Sequence, residues 1–193
     1  VSSDEQLARS LAPLTSRVRT DVTARKLHGA QSWTHERLSF ERLWEHVSGK
    51  GPARGVSQIP AGESTTRVAV IDFDSHGGET SWADMSAVVL RVADTLELVH
   101  DMHPTLWRSS GGRGVHLYLI WDEPQDAWSV REFLREVVES CGLRAGTKGV
   151  GAGEVEVFPK QNEVGSEGFG NQVVLPLAGE SVPLARNDEG DLW

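Results

Sequence analysis

One cysteine, one tyrosine and two methionines in 193 residues remove several functions before any motif is read. Cys141 alone forms no internal disulfide and supplies no multi-cysteine zinc site. So sparse a use of cysteine fits a reducing cytosol, and a cytoplasmic location is expected. The longest apolar run falls far short of the ~20 residues that span a bilayer. The polar N-terminus lacks the charged-then-apolar layout of a signal peptide. No membrane partner is expected. The chain opens on Val1 rather than Met, which sets the expectation of processing or of excision from a longer protein. There is no internal repeat and no low-complexity tract. With 24% charged and 38% apolar residues the composition is that of a folded protein, long enough for one sizeable core or two small lobes.

The net charge of −9 argues at first against a nucleic-acid partner. The charge is unevenly spread. Val1–Arg67 carries 10 Lys/Arg against 7 Asp/Glu, and Val68–Trp193 carries 9 against 21. Two differently solvated surfaces would give this, and so would a mildly basic front lobe joined to an acidic lobe that holds cations. Arg17, Arg19, Arg25 and Lys26 form the densest basic stretch and are the expected template contacts.

In the first third, Val18–Leu27 and Ser39–Val47 are expected to be helical. In the second of these, Phe40, Leu43, Trp44 and Val47 recur at i, i+3, i+4 and i+7, and Gly49 follows as a stop. Val56–Ile59 is a short strand candidate. From Arg67 the pattern sharpens. Val68–Asp74 reads as a strand. Trp82–His100 reads as a helix with Ser81 as N-cap, Thr105–Arg108 as a short strand and Val115–Trp121 as a strong one. Ala127–Cys141 is a second helix between Asp126 and Gly142. Glu154–Phe158 and Gln172–Leu177 are further strands. Strand, helix, strand, strand, helix, strand is the split βαβ order of ferredoxin-like and RRM-like sheets. The expected fold class is α/β in the α+β sense. A single domain 1–193 is expected, with residues 1–66 as an N-terminal lobe of helices and small strands and residues 67–193 as the sheet-bearing lobe.

In that order the first and third strands are central neighbours, the fourth flanks the first, and both helices cover one face. Side chains alternate along a strand. If Ile71 and Phe73 meet the helices, Asp72 and Asp74 lie on the open face. By the same alternation His116 joins them, together with Glu154 or Glu156 from the fourth strand. Carboxylates this close repel unless a cation sits between them, and oxygen ligands without Cys indicate Mg²⁺ or Mn²⁺. An isolated Asp-x-Asp is commonly just a solvated strand edge. What shifts the balance is the loop Arg108-Ser-Ser-Gly-Gly-Arg-Gly-Val-His116. Its glycines let backbone N–H groups approach an anion, and its arginines suit phosphate oxygens. A tight hairpin turn is the plain alternative, but such a turn does not need an arginine on both sides.

Three segments, Val-Ile-Asp72-Phe-Asp74, Arg-Ser-Ser-Gly-Gly-Arg-Gly-Val-His116 and Val-Glu156-Val-Phe-Pro-Lys160, resemble in order and spacing the three motifs of the archaeo-eukaryotic primase superfamily. The trailing Gly-Phe-Gly-Asn171-Gln-Val-Val-Leu-Pro-Leu177 is similar to a segment in primase-polymerases of viruses, plasmids and other mobile elements. The resemblance spans Arg67–Leu177 clearly and the first third only loosely. It implies that Asp72, Asp74 and Glu156 are the catalytic metal ligands, Glu156 standing where the family often has Asp. Glu154, on the same face, is the alternative third ligand. It also implies that His116, Ser110 and Arg113 grip the triphosphate. Lys160 would touch a phosphate or remain a solvated lysine.

The function implied is a template-directed nucleotidyltransferase that uses a two-metal Mg²⁺ or Mn²⁺ site. Its partners would be template, primer and nucleoside triphosphates. Further domains, a helicase or an accessory module, are expected in the full-length protein. A rolling-circle-type nickase is the first alternative, but it needs a tyrosine nucleophile on a helix, and Tyr118 lies in a strand. A non-catalytic nucleotide- or nucleic-acid-binding module is the second.

Overall fold

The computed structural model describes residues 2–27, 30–76, 79–188 and 190–193. Two sheets pack against each other. The larger is built from β4 (Thr65–Phe73), β5 (Thr105–Arg108), β6 (Val115–Asp126), β7 (Arg144–Ala145), β8 (Glu154–Phe158) and β10 (Pro183–Leu184), in the order β10-β5-β6-β4-β8-β7. Its four middle strands carry the expected split βαβ order, with β4 antiparallel to both β6 and β8. The fold class is therefore α+β, as expected.

Helices α4 (Trp82–His100) and α5 (Ala127–Ser140) start where their caps place them. Ser81 Oγ accepts from Asp84 N–H, and Asp126 Oδ1 accepts from Ser129 N–H at 2.8 Å. Each cap satisfies an N–H that has no partner within its helix. Met85, Val89, Val92 and Leu96 of α4 and Leu134 and Val138 of α5 pack on Ile71, Phe73, Leu117 and Val157 of the sheet. Among the described residues, no helix is long and apolar enough to cross a membrane.

The smaller sheet has the order β2-β1-β3-β9, from β1 (Thr23–Leu27), β2 (Ala30–Thr34), β3 (Ala53–Ser57) and β9 (Gln172–Val174). With it go the helices α1 (Ser3–Ser10), α2 (Ala12–Thr15) and α3 (Phe40–Ser48). Gly49 ends α3 at φ 69°, a left-handed position that glycine takes without Cβ strain. Thr23–Leu27 is a strand, not part of the expected helix Val18–Leu27. Val22, Thr23 and Ala24 are all buried and Arg25 is exposed, so burial here shows no simple alternation and the strand is set by its pairing with β2 and β3.

The expected open face of the large sheet is partly roofed. Val68, Val70, Tyr118 and Phe158 are buried against Leu11, Leu14, Leu43, Val56, Val173 and Leu175 of the front lobe. The roof draws β9 from beyond the three motif segments, so the front lobe is not built from the first third alone.

Candidate functional site

Strand register builds the site in two neighbouring rows. Val70 stands opposite Tyr118 on one side and Phe158 on the other. This row is apolar and lies under the roof. Two residues further along β4, Asp72 stands opposite His116 on one side and Glu156 on the other. The second row keeps the same face but emerges where the roof stops. It opens into a cleft of about 540 Å³ lined by Asp72, Asp74, Ser110, Arg113, His116, Glu156 and Lys160, all expected from the sequence.

The carboxylates are poorly compensated. Asp72 Oδ1 is buried and has no hydrogen-bond partner among the described residues. His116 Nε2 lies 3.4 Å away, but its geometry is not that of a hydrogen bond. Burial, then the charges of Asp74 and Glu156, push the Asp72 carboxyl well above the usual carboxylate range. Burial chiefly raises Asp74 as well, against the pull of His76. Burial lowers His116 to about 4, helped by the positive charge of Lys26, so its imidazole is neutral at pH 7. Lys160 Nζ is bound to Glu156 Oε2 and lies 4.7 Å from the centre of the Phe158 ring.

Among the described residues, no three His, Cys, Asp or Glu side chains are grouped closely enough to hold a metal ion as they stand. The chemistry of the donor set fits a hard cation at Asp72 and Asp74: half-buried carboxylates, one Asp72 oxygen buried without a hydrogen-bond partner, and mutual repulsion that a positive charge would relieve. Glu156, across the register from Asp72, has its Oε2 occupied by Lys160. Glu154, the other candidate, lies elsewhere. It accepts from Arg144 at 2.8 Å and from the Lys148 N–H at 3.0 Å, and these contacts hold its carboxyl below the usual range.

The loop after β5 is braced for close approach. Ser109 Oγ accepts from Gly114 N–H at 3.0 Å, and Gly112 N–H donates to Ser109 O at 2.9 Å. A Cβ on Gly114 would collide with the Phe73 carbonyl at the end of β4, so glycine there lets the loop sit directly beside Asp74. Of its two arginines only Arg113 reaches the cleft. Arg108 stacks its guanidinium over Trp82, 4.5 Å from the ring centre.

The basic stretch of the front lobe divides. Arg17 pairs with Asp122 at 2.5 Å, and Arg19 pairs with Asp21 and donates to the Gly168 carbonyl. Both are thus engaged within the protein itself. Arg25 is exposed, and Lys26 lines the cleft. Trp33, stacked on Phe169 at 5.6 Å, and Gln172 also line it. Sequence reasoning missed all three as cleft residues. Alternation from Ala24 would have placed Lys26 had β1 been read as a strand. Tyr118 is buried, donates to Val174 O at 3.1 Å, and its hydroxyl is held strongly protonated by burial. Such a hydroxyl is a poor nucleophile, which counts against a nickase.

The family described as "TOTE conflict system, Archaeo-Eukaryotic Primase domain" matches residues 10–186. Among solved structures, the chain is similar to the polymerase domain from Mycobacterium tuberculosis Ligase D in complex with DNA. The TM-score is 0.62 at 16% identity, over 91% of this chain and 74% of that one. The archaeo-eukaryotic primase domain of the Cyanophage S-2L primase-polymerase gives a TM-score of 0.47 at 15% identity, over 83% of this chain and 91% of that one. No curated protein matches.

Proposed function

The chain belongs to the archaeo-eukaryotic primase domain family of TOTE conflict systems, and from that premise we propose that it is a template-directed nucleotidyltransferase that extends a primer with nucleoside triphosphates. The observation that carries this reading is the cross-strand row His116–Asp72–Glu156, with a buried, unpartnered Asp72 oxygen, opening beside an arginine-bearing glycine loop. The DNA bound to the Ligase D polymerase domain, a protein of similar fold, supports a nucleic-acid partner.

Each residue has a role in this reading. Ser110, Arg113 and the loop backbone bind the triphosphate, with Arg113 as a bidentate donor. His116, neutral at working pH, presents a ring N–H without adding charge beside Asp72. Lys160 exchanges its carboxylate partner for a phosphate oxygen when nucleotide enters. Asp72 and Asp74, with Glu156 once released, would hold Mg²⁺ or Mn²⁺. Bound there, the ions would favour ionisation of the primer 3′-hydroxyl and offset charge on the phosphates. The roof over Val70, Tyr118 and Phe158 keeps water from one wall of the site and strengthens the electrostatics inside it.

Primer extension tests the proposal. With template, primer and either ribo- or deoxynucleotides, product should appear in Mg²⁺ or Mn²⁺ and vanish in chelator. No product from any nucleotide pool with either metal would overturn it.

A further inference from the structure

A second cavity, of about 470 Å³, lies on the far side of the Glu156–Lys160 pair, and these two residues line both cavities. One wall is α5, which contributes Arg131 and Arg135 one helical turn apart. The other is the segment Ala145–Thr147, continued by Lys148. The charge here runs against the lobe. Val68–Trp193 holds 9 Lys/Arg against 21 Asp/Glu, yet Arg131, Arg135, Arg144, Lys148 and Lys160 all gather on these walls or next to them. Their partners among the described residues are three carboxylates. Glu132 takes both Arg131 and Arg135, Glu154 takes Arg144 and Lys148, and Glu156 takes Lys160. Arg131 is also pinned by a 3.0 Å bond from Nη1 to the Lys160 carbonyl. That bond fixes its guanidinium at the rim shared with the cleft.

We infer that this cavity is a seat for a backbone phosphodiester of the nucleic-acid strand that enters the cleft across the edge of β8, with Arg131 and Arg135 as its donors. Placement supports this. A strand crossing the Glu156–Lys160 boundary would lay a phosphate against the arginines while its reacting end lies next to Asp72. Charge supports it too. An acidic lobe repels a polyanion everywhere except where cations are concentrated. The inference rests on the nucleotidyltransferase reading but concerns strand binding rather than chemistry.

The test is equilibrium binding of labelled primer–template, and of template alone, across a salt series. Nucleoside triphosphate binding is titrated in parallel. Arg131→Ala/Arg135→Ala should weaken primer–template binding about tenfold, and the log–log salt slope should flatten by roughly 0.7–0.9 for each phosphate no longer neutralised. Nucleotide affinity should hold. Arg131→Lys/Arg135→Lys should keep most of the slope. Arg135→Ala alone, which leaves the Arg131–Lys160 bond in place, should flatten the slope about half as much as the double variant. Weakening confined to primer–template assigns the seat to the primer strand, and equal weakening of template alone assigns it to the template. An unchanged slope overturns the inference, and so does a parallel fall in nucleotide affinity. Primer extension by the unaltered protein is scored separately. Arginine-dependent strand binding without incorporation would sink the functional reading and leave this one standing.

Discussion

The two lobes each hold a partly buried cluster of charged side chains, and the clusters are finished differently. In the front lobe Arg54 is only 4% exposed, and its guanidinium meets Glu36 at 2.5 Å, Glu45 at 3.7 Å and the Thr23 hydroxyl at 3.4 Å, leaving its Nε without a hydrogen-bond partner among the described residues but its charge balanced. His46 beside it is satisfied at both nitrogens. It accepts from Arg54 N–H and donates to Pro176 O, each at 2.8 Å, an arrangement that fixes the Nε2–H tautomer. Positive and negative charge nearly cancel within that cluster. In the cleft, Asp72, Asp74 and Glu156 share a single lysine ion pair among the described residues, and an Asp72 oxygen has no hydrogen-bond partner. A buried cluster that neutralises itself is architecture. One left short of positive charge stores repulsion that a ligand can relieve, and removing its members should cost activity without costing stability.

The largest expected effect follows from that contrast. Asp72→Ala or Asp74→Ala should lower nucleotide incorporation by at least about 100-fold, the scale on which single preorganised electrostatic groups act, while circular dichroism stays unchanged. Full activity in the double variant would sink the metal role of the pair. The front-lobe cluster should behave oppositely. Glu36→Ala leaves Arg54 buried with only the distant Glu45. Denaturant unfolding should show a loss below the ~3–5 kcal/mol of stranding a fully buried charge, because Glu36 is partly exposed and water reaches the pair, with nucleotide affinity little changed in the protein that remains folded. Smaller again, Arg113→Ala or His116→Ala should each weaken nucleotide binding by about 10- to 100-fold, as expected for a charge-assisted or buried hydrogen bond worth roughly 1.5–3 kcal/mol. A calorimetric titration with no change would remove the loop from the phosphate site.

The smallest effect is a pH slope. Burial, with Arg54 adding to it, lowers the pKa of His46 below its ordinary value. The unfolded chain therefore takes up a proton near pH 6.5 that the folded protein refuses, so stability is full above that pH and declines as pH falls below it. His46→Asn should flatten the fall in melting temperature between pH 7 and pH 5. An unaltered slope would place the acid sensitivity elsewhere.

What was legible in the sequence was whatever local physics decides. Helices Trp82–His100 and Ala127–Ser140 were readable because Ser81 and Asp126 cap them and their apolar stripes repeat with the helical period. The site row was readable because Asp72, His116 and Glu156 alternate with core residues on three strands whose order follows from split βαβ topology. The front lobe was not readable in the same way. Thr23–Leu27 offers few apolar residues to show its period, and the partners that make it a strand are β2 and β3. The polar segment Ser3–Ser10 buries only Ala8 and gave no helical stripe. The roof depends on β9 pairing with β3 over more than a hundred residues of chain, so the face expected to be open could not be seen as half covered. Lys160 is the instructive case. Its place just after Phe158-Pro159 left it between a phosphate ligand and a solvated lysine, whereas in the fold it pairs with Glu156 of the cleft.

The most direct test of the central contrast is the melting temperature of the wild type and of Asp72→Asn/Asp74→Asn, each measured in chelator and in Mn²⁺. An undercompensated cleft predicts that the variant is the more stable protein without metal, because repulsion has been removed. It also predicts that Mn²⁺ raises the wild type and leaves the variant where it was, reversing or closing the gap. A wild type that is the more stable protein in chelator and gains nothing from Mn²⁺ would contradict the account, since the cleft carboxylates would then be part of the architecture, as Arg54 and Glu36 are.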